Sequence, residues 1–362
     1  MKVALLTDTH IGASNDHPVQ INNVEKFFEW FWGEVDRLGI THIFHLGDLM
    51  DNRTRISYLA AYQLKRCLLD PAAERNVIVH MIVGNHDILY RTTLEYSSAV
   101  LLEGKKNILA YDDPVEITLP DGTVIGMVPW IHKNNSEATI KFLENTESNY
   151  IMGHLEIKGA QMLKGVRAEH GQEANVFSRF PKVFSGHFHH VNSYENIHYI
   201  GNTIQMNWGD YGEDRGYTIL DTETGEHTLI SNPFSPFQKL YYDDVENDYN
   251  DLSFMDSFDL NNRFMRVIVV QKQNPYLLDR FVQKVTDLGA YSVQVVEHDS
   301  VEFSGSETET DESDIQEFKA DTMTILNEYV TTTALSDEQV KRVMKIMREI
   351  YAEASSRKMN HD

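Results

Sequence analysis

Five short apolar runs in the first two hundred residues each lead into side chains able to ligate a metal ion. LLTDTH carries Asp8 and His10, HLGD carries Asp48, VGNHD carries Asn85 with His86 and Asp87, MGH carries His154, and SGHFHH carries His187, His189 and His190. Each is ordinary alone, since aspartate can cap, asparagine suits a turn, and a lone histidine is often a satisfied core residue. Five coincidences together point to a shared site. Imidazoles, carboxylates and one amide oxygen suit divalent manganese, iron or zinc. Structural zinc on cysteine pairs is excluded, because Cys67 is the only cysteine. Glycine precedes Asp48, Asn85, His154 and His187, permitting tight turns and close backbone approach. In an extended segment His187 and His189 share one side while His190 faces away; a helical segment would pair His187 with His190.

Something must bring these distant residues together. KVALLT, HIFHL, VIVHMIV, NYIM and KVFS read as buried strands, and NNVEKFFEWFWGEVDRLG and SYLAAYQLKRCLLDPAAE as helices, the first ending near Gly39. The alternation predicts an α/β core, in which loops at the C-terminal strand ends converge on a crevice. PVEITLPDGTVIGMVPW and GYTILDTETGEHTLI read as hairpins. Residues 240–262 are acid-rich and read as a linking segment, 263–298 as a small strand–helix–strand unit, and GSETETDESD as a flexible acidic linker. Two terminal helices follow. Ser336 caps the second, and Val340, Val343, Met344, Met347, Ile350 and Tyr351 form a stripe that suits its own domain or a partner equally. Cys67 belongs to helix packing, His42, His45 and His80 to the core or its margin, and His17, His132 and His170 to surface or loops.

The chain has 362 residues, room for more than one domain, and a formal net charge of −23 that argues against broad attraction to nucleic acid. Much of that charge lies beyond residue 240, so a local cationic site built on divalent ions stays open. With no membrane-length apolar run and no signal peptide, a cytoplasmic protein is expected.

The order D-x-H, G-D-x-x-D, G-N-H-D, G-H and G-H-x-H over residues 1–205 resembles the calcineurin-like metallophosphoesterases. The downstream plan is similar to the SbcD-type exonucleases of double-strand-break repair, and within them to bacteriophage recombination endonuclease subunits. This resemblance implies a β-sandwich core flanked by helices over 1–240, a capping and DNA-recognition domain over 241–300, an acidic linker over 301–316 and ATPase-binding C-terminal helices over 317–362. It implies two divalent ions, manganese foremost: Asp8, His10, Asp48 and His189 on one, Asp48, Asn85, His154 and His187 on the other, Asp48 bridging. Such a pair clamps phosphate oxygens and activates a shared water for in-line attack. His86 would assist the leaving oxygen as general acid, with Asp87 orienting it. The implied partners are double-stranded DNA ends, single-stranded DNA, a coiled-coil SMC-like ATPase and a second copy of the chain.

Two departures stand out: Asp51 where many members carry histidine, and Asn202 after Gly201 where serine is common. Lys158, Lys164 and Arg167 lie on a loop that either tracks a DNA backbone or is solvated surface. A phosphoesterase acting on a small molecule or protein, and a non-catalytic scaffold, are the competing functional readings.

Overall fold

A computed structural model describes residues 1–297 apart from Arg91, Lys164 and Gly165. The expected linker 301–316, the helices 317–362 and the Val340–Tyr351 stripe lie outside the described residues.

The strands in chain order are β1 (Lys2–Leu6), β2 (His42–His45), β3 (Ile78–Ile82), β4 (Ile108–Tyr111), β5 (Val115–Thr118), β6 (Val124–Val128), β7 (Tyr150–His154), β8 (Gln161–Leu163) and β9 (Val166–Arg167). They continue with β10 (Val183–Gly186), β11 (Asn192–Tyr194), β12 (Ile197–Tyr199), β13 (Gly216–Asp221), β14 (His227–Ser231), β15 (Phe237–Asp243), β16 (Phe264–Gln271) and β17 (Ser292–Glu297). Two six-stranded mixed sheets form, in the orders β14-β13-β1-β2-β3-β4 and β11-β12-β10-β7-β6-β5. β1 to β4 run parallel in the first sheet, and β6, β7, β10 and β12 run parallel in the second. Both expected hairpins form, as the antiparallel pairs β5–β6 and β13–β14.

Packing explains why these strands read as unbroken apolar runs. In β1, Val3 and Leu5 join Phe44, Met152 and Phe184 in one cluster drawn from both sheets, while Ala4 and Leu6 join Phe27, Phe28 and Phe31 in another. A strand buried on both faces has no polar alternation to display. The second sheet buries its other face in a further cluster with Leu143 of the helix Ser136–Asn145.

The helix Pro18–Leu38 ends at Gly39 in a left-handed conformation, as expected. The next helical stretch runs Tyr58–Leu64, then a wide turn over Lys65–Leu69, then Asp70–Glu74. Pro71 has no N–H for the Cys67 carbonyl, so the turn widens and that carbonyl instead accepts the Trp32 indole N–H at 2.7 Å. Cys67 is buried there, as its setting implied.

Residues 240–262 are not a link. β15 pairs in parallel with β16, and a parallel pair needs a long crossover, which this segment supplies. Tyr242, Tyr249, Leu252, Met255 and Leu260 are buried with Phe281 and Val285 of the helix Pro275–Asp287. β17 then pairs in parallel with β16, completing a three-stranded sheet that begins at Phe237. His17, expected on the surface or in a loop, lies between two helices and packs its ring 5.2 Å from Phe264 and 4.8 Å from Tyr291 of this unit. No helix among the described residues is long and apolar enough to cross a membrane.

Candidate metal centre

The C-terminal ends of β1, β2, β3, β7 and β10 deliver all seven candidate ligands to one connected cluster. Asp8 Oδ1 lies 3.9 Å from His10 Nε2 and 3.7 Å from His189 Nε2, and those two imidazole nitrogens are 3.2 Å apart. Asp48 Oδ2 lies 3.4 Å from His154 Nε2. Asn85 Oδ1 faces His154 Nε2 at 2.9 Å and His187 Nδ1 at 2.8 Å, and the His187 N–H donates to Asp8 Oδ2 at 3.1 Å. Two carboxylate–imidazole groups have ligand atoms close enough to share an ion: Asp8, His10 and His189, and Asp8, Asp48 and His154. Asp8 belongs to both, beside the expected bridge Asp48.

The backbone is strained where these side chains leave it. Asp8 (φ 49°), His10 (φ 42°), Asp48 (φ 55°) and His187 (φ 86°) all occupy the left-handed region, which costs a non-glycine residue on the order of 1–3 kcal/mol and concentrates at functional sites. The preceding glycines work by close approach. A Cβ on Gly84 would sit 2.3 Å from Asp48 Oδ1, and one on Gly47, itself at φ 92°, would sit 2.5 Å from His154 Nδ1.

The donor set fits divalent ions. Asp8 Oδ1 is buried without a hydrogen-bond partner. His154 Nδ1 donates to the Leu46 carbonyl at 2.7 Å, so neutral His154 turns the lone pair of Nε2 toward the oxygens of Asn85 and Asp48. An acceptor facing two acceptors calls for a cation or a proton between them. The electrostatics agree. Burial alone would depress the His154 pKa, but Asp48 and then Asp8 lift it to about 9, while burial pushes the Asp8 carboxyl up to about 6. Burial, aided by His154, lowers His187 to about 3.

A pH dependence follows for the chelated protein. His154 has a folded pKa of about 9 against 6.5, so its stabilising contribution is complete below about 6.5 and is lost as pH rises through 9. Asp8, raised from 3.8 to about 6, loses its contribution in the same direction at lower pH, whereas His187 loses its own as pH falls from 6.5 toward 3. Melting temperature in EDTA is therefore expected to fall between pH 7 and 9, and manganese to flatten that slope by taking the proton's place. A flat EDTA profile over that window would contradict the assignment.

Supporting residues divide differently from expectation. Asp87 does not touch the His86 ring. Its buried carboxylate accepts from the N–H groups of Leu49 (3.0 Å), Met50 (3.2 Å) and Gly84 (3.0 Å) and from Ser98 Oγ (2.8 Å), tying the Asp48 loop to the Asn85 loop. His86 Nδ1 donates instead to the Asp51 carbonyl at 3.0 Å, and its ring packs edge-on to His10, 5.0 Å away. The Asp51 carboxylate lies 3.4 Å from His10 Nδ1, leaving Nε2 of that ring to face the cluster. His190 turns away from the cluster and pairs with Glu213, although the segment is a loop beyond β10 and not the extended strand expected. Glu213 also contacts buried Arg215 at 3.0 Å, and Arg215 reaches Asp210 at 2.7 Å. The sequence carried no signal for this network. Of the loop cations, Lys158 pairs with Glu173 at 3.0 Å, Arg167 donates to the Gly159 carbonyl at 2.7 Å, and Lys164 lies outside the described residues.

A family profile described as calcineurin-like phosphoesterase matches residues 1–191, which carry every candidate ligand. The chain belongs to the calcineurin-like phosphoesterases. Among such phosphoesterases it is similar to exonuclease subunit 1 of Enterobacteria phage T4, 26% identical over 363 residues covering 98% of this chain and 100% of the relative. It is also similar to the SbcD component of the SbcCD nuclease of Staphylococcus epidermidis, 25% identical over 281 residues covering 70% of this chain and 74% of that one.

Proposed function

We propose that this phosphoesterase is a metal-dependent DNA nuclease with exonuclease and endonuclease capability. Asp8, His10, Asp48 and His189 would hold one divalent ion and Asp48, Asn85, His154 and His187 the other, manganese being the preferred metal. What carries the reading is the meeting of five candidate ligands at ion-sharing distances, with Asn85 and His187 in contact with them, in a chain that aligns over 98% of its length with a phage exonuclease subunit. Bound ions would supply Lewis-acid stabilisation of the phosphate and activation of the attacking water. The residues do the rest. Asp8 and Asp48 bring two negative charges against four positive, so a phosphodiester meets a cationic site in an acidic protein. The Asp51 carbonyl holds the His86 Nδ1 proton, so a protonated His86 donates from Nε2 to the leaving oxygen.

Two aromatic–cation pairs support a nucleic-acid path beside the site. Arg266 lies over Trp208 at 4.3 Å and Lys239 over Tyr211 at 5.0 Å, next to the Asp210–Arg215 network that holds His190. Aromatic faces interleaved with cations suit single-stranded and frayed DNA. The names of the relatives, each one subunit of a nuclease, support work within a complex; the partner and place proposed for it are an SMC-like coiled-coil ATPase and the host cytoplasm.

A second copy is the other proposed partner. Tyr58 (98% exposed) and Tyr62 (58%) stand with Leu59 on the outside of the helix starting at Tyr58, and exposed Ile56 lies just before it, apolar surface suited to a homodimer. Tyr58→Arg with Tyr62→Arg is expected to shift sedimentation from dimer to monomer; a wild-type monomer would contradict dimerisation.

The test is nucleotide release from end-labelled duplex and single-stranded DNA by the purified chain, alone and with its ATPase, in manganese, magnesium and zinc. Manganese-dependent release is expected. Inert DNA with rapid hydrolysis of small phosphomonoesters would reject the reading in favour of a small-molecule phosphatase.

A further inference from the structure

The segment directly after the Asn85–His86–Asp87 motif supplies no ligand to the metal centre. It folds back on itself: Ile88 bridges Ser97, the Leu89 N–H donates to the Tyr96 carbonyl at 2.9 Å, and the Ser98 N–H donates to the Asp87 carbonyl at 2.7 Å. Asp87 thus anchors both ends, its carboxylate also accepting from Ser98 Oγ at 2.8 Å. Asn134 Nδ2 donates to the Thr92 carbonyl at 2.8 Å and ties the middle down.

The apolar residues of this loop divide, with Leu89 partly exposed between the two groups. Ile88 and Leu94 are buried in a small cluster with Val83, and Trp130 packs against it. Trp130 in turn lies 5.0 Å from the His187 ring and 6.0 Å from that of His154. Tyr90 and Tyr96 point the other way, 56% and 55% exposed, with ring centroids 6.1 Å apart and planes at 88°. Single exposed tyrosines are common and usually idle. Here two stand together on a loop whose base is packed and hydrogen-bonded to Asp87, beside the ligand Asn85. Tyr90 is four residues from His86, within a chain reach of at most ~14 Å.

We propose that Tyr90 and Tyr96 form a stacking platform for the bases of single-stranded DNA, holding an unpaired end in line with the metal centre. This rests on the nuclease reading. Each ring offers an apolar face that any base can cover, so the platform selects unpaired strands without reading sequence. Stacked duplex bases have no free face to give, which makes fraying of the end a requirement for engagement.

The experiment measures KM and kcat of the full chain in manganese on a single-stranded oligonucleotide and, in parallel, on bis(4-nitrophenyl) phosphate, which has no bases. Y90A and Y96A are each expected to raise the oligonucleotide KM roughly tenfold. Their turnover of the aryl diester should match wild type, which also reports an intact fold and centre. Y90F and Y96F should keep wild-type KM, since stacking needs the ring and not the hydroxyl. Alanine variants with unchanged oligonucleotide KM overturn the platform alone, as do alanine variants that change only the sedimentation of the protein, which would make the pair a protein contact. A wild-type chain that hydrolyses the aryl diester and leaves DNA untouched overturns the nuclease reading and the platform with it.

Discussion

Asp48→Asn is expected to lower turnover of any phosphodiester on the order of a thousandfold, and to reduce bound manganese from two ions to one. Burial would raise the Asp48 carboxyl pKa, but His154 and His10 hold it well below the usual range, so it is a charged carboxylate among imidazoles. Its Oδ1 accepts the His86 N–H at 2.6 Å while Oδ2 faces His154 Nε2 at 3.4 Å. Asparagine can keep both contacts, with its oxygen toward His86 and its amide N–H toward His154. The fold should therefore survive while the shared charge is lost. Losing several kcal/mol of charge stabilisation, at ~1.4 kcal/mol per decade, gives the expected factor. Calorimetric metal stoichiometry beside kcat is the check; two ions bound with full turnover would show that Asp48 does not bridge.

His86→Ala is expected to lower kcat on DNA by roughly 10²- to 10⁴-fold while metal stoichiometry stays at wild type. The substitution removes the ring held by the Asp51 carbonyl and keeps the backbone N–H that serves Asp48. A general acid matters most when the leaving oxygen is basic. With 4-nitrophenolate as leaving group the same variant should lose much less, because that anion departs without a proton. An equal loss on both substrates would make His86 a phosphate contact, and unchanged DNA turnover would remove it from the chemistry.

The parts of this protein legible from sequence are those set by local geometry. β1, β2, β3, β7 and β10 announce themselves because they are buried on both faces, and the glycines ahead of Asp48 and Asn85 because a Cβ there would collide with the cluster. His190 does part from His187 and His189 as an extended segment would have it, but β10 ends at Gly186 and His187 is left-handed, so a loop and not strand periodicity sets the directions. Tertiary direction was not legible. Asp87 adjoins His86 in sequence, yet its carboxylate points into the backbone of another loop. Asp51 meets His10 across 41 positions that spacing alone does not bridge. The His190–Glu213–Arg215–Asp210 network joins segments with no shared pattern. β15 was hidden because its partner lies beyond an acid-rich crossover whose buried residues, Tyr249, Leu252, Met255 and Leu260, are scattered among acidic ones. The turn at Lys65–Leu69 had a local signal in Pro71, one turn beyond the carbonyl it cannot serve.

Anomalous diffraction from crystals grown with manganese would locate ions held by these seven residues. Two peaks ~3.5–4 Å apart are expected, one ringed by Asp8, His10, Asp48 and His189 and the other by Asp48, Asn85, His154 and His187. A single peak, or a second one held by other side chains, would contradict the two-ion centre.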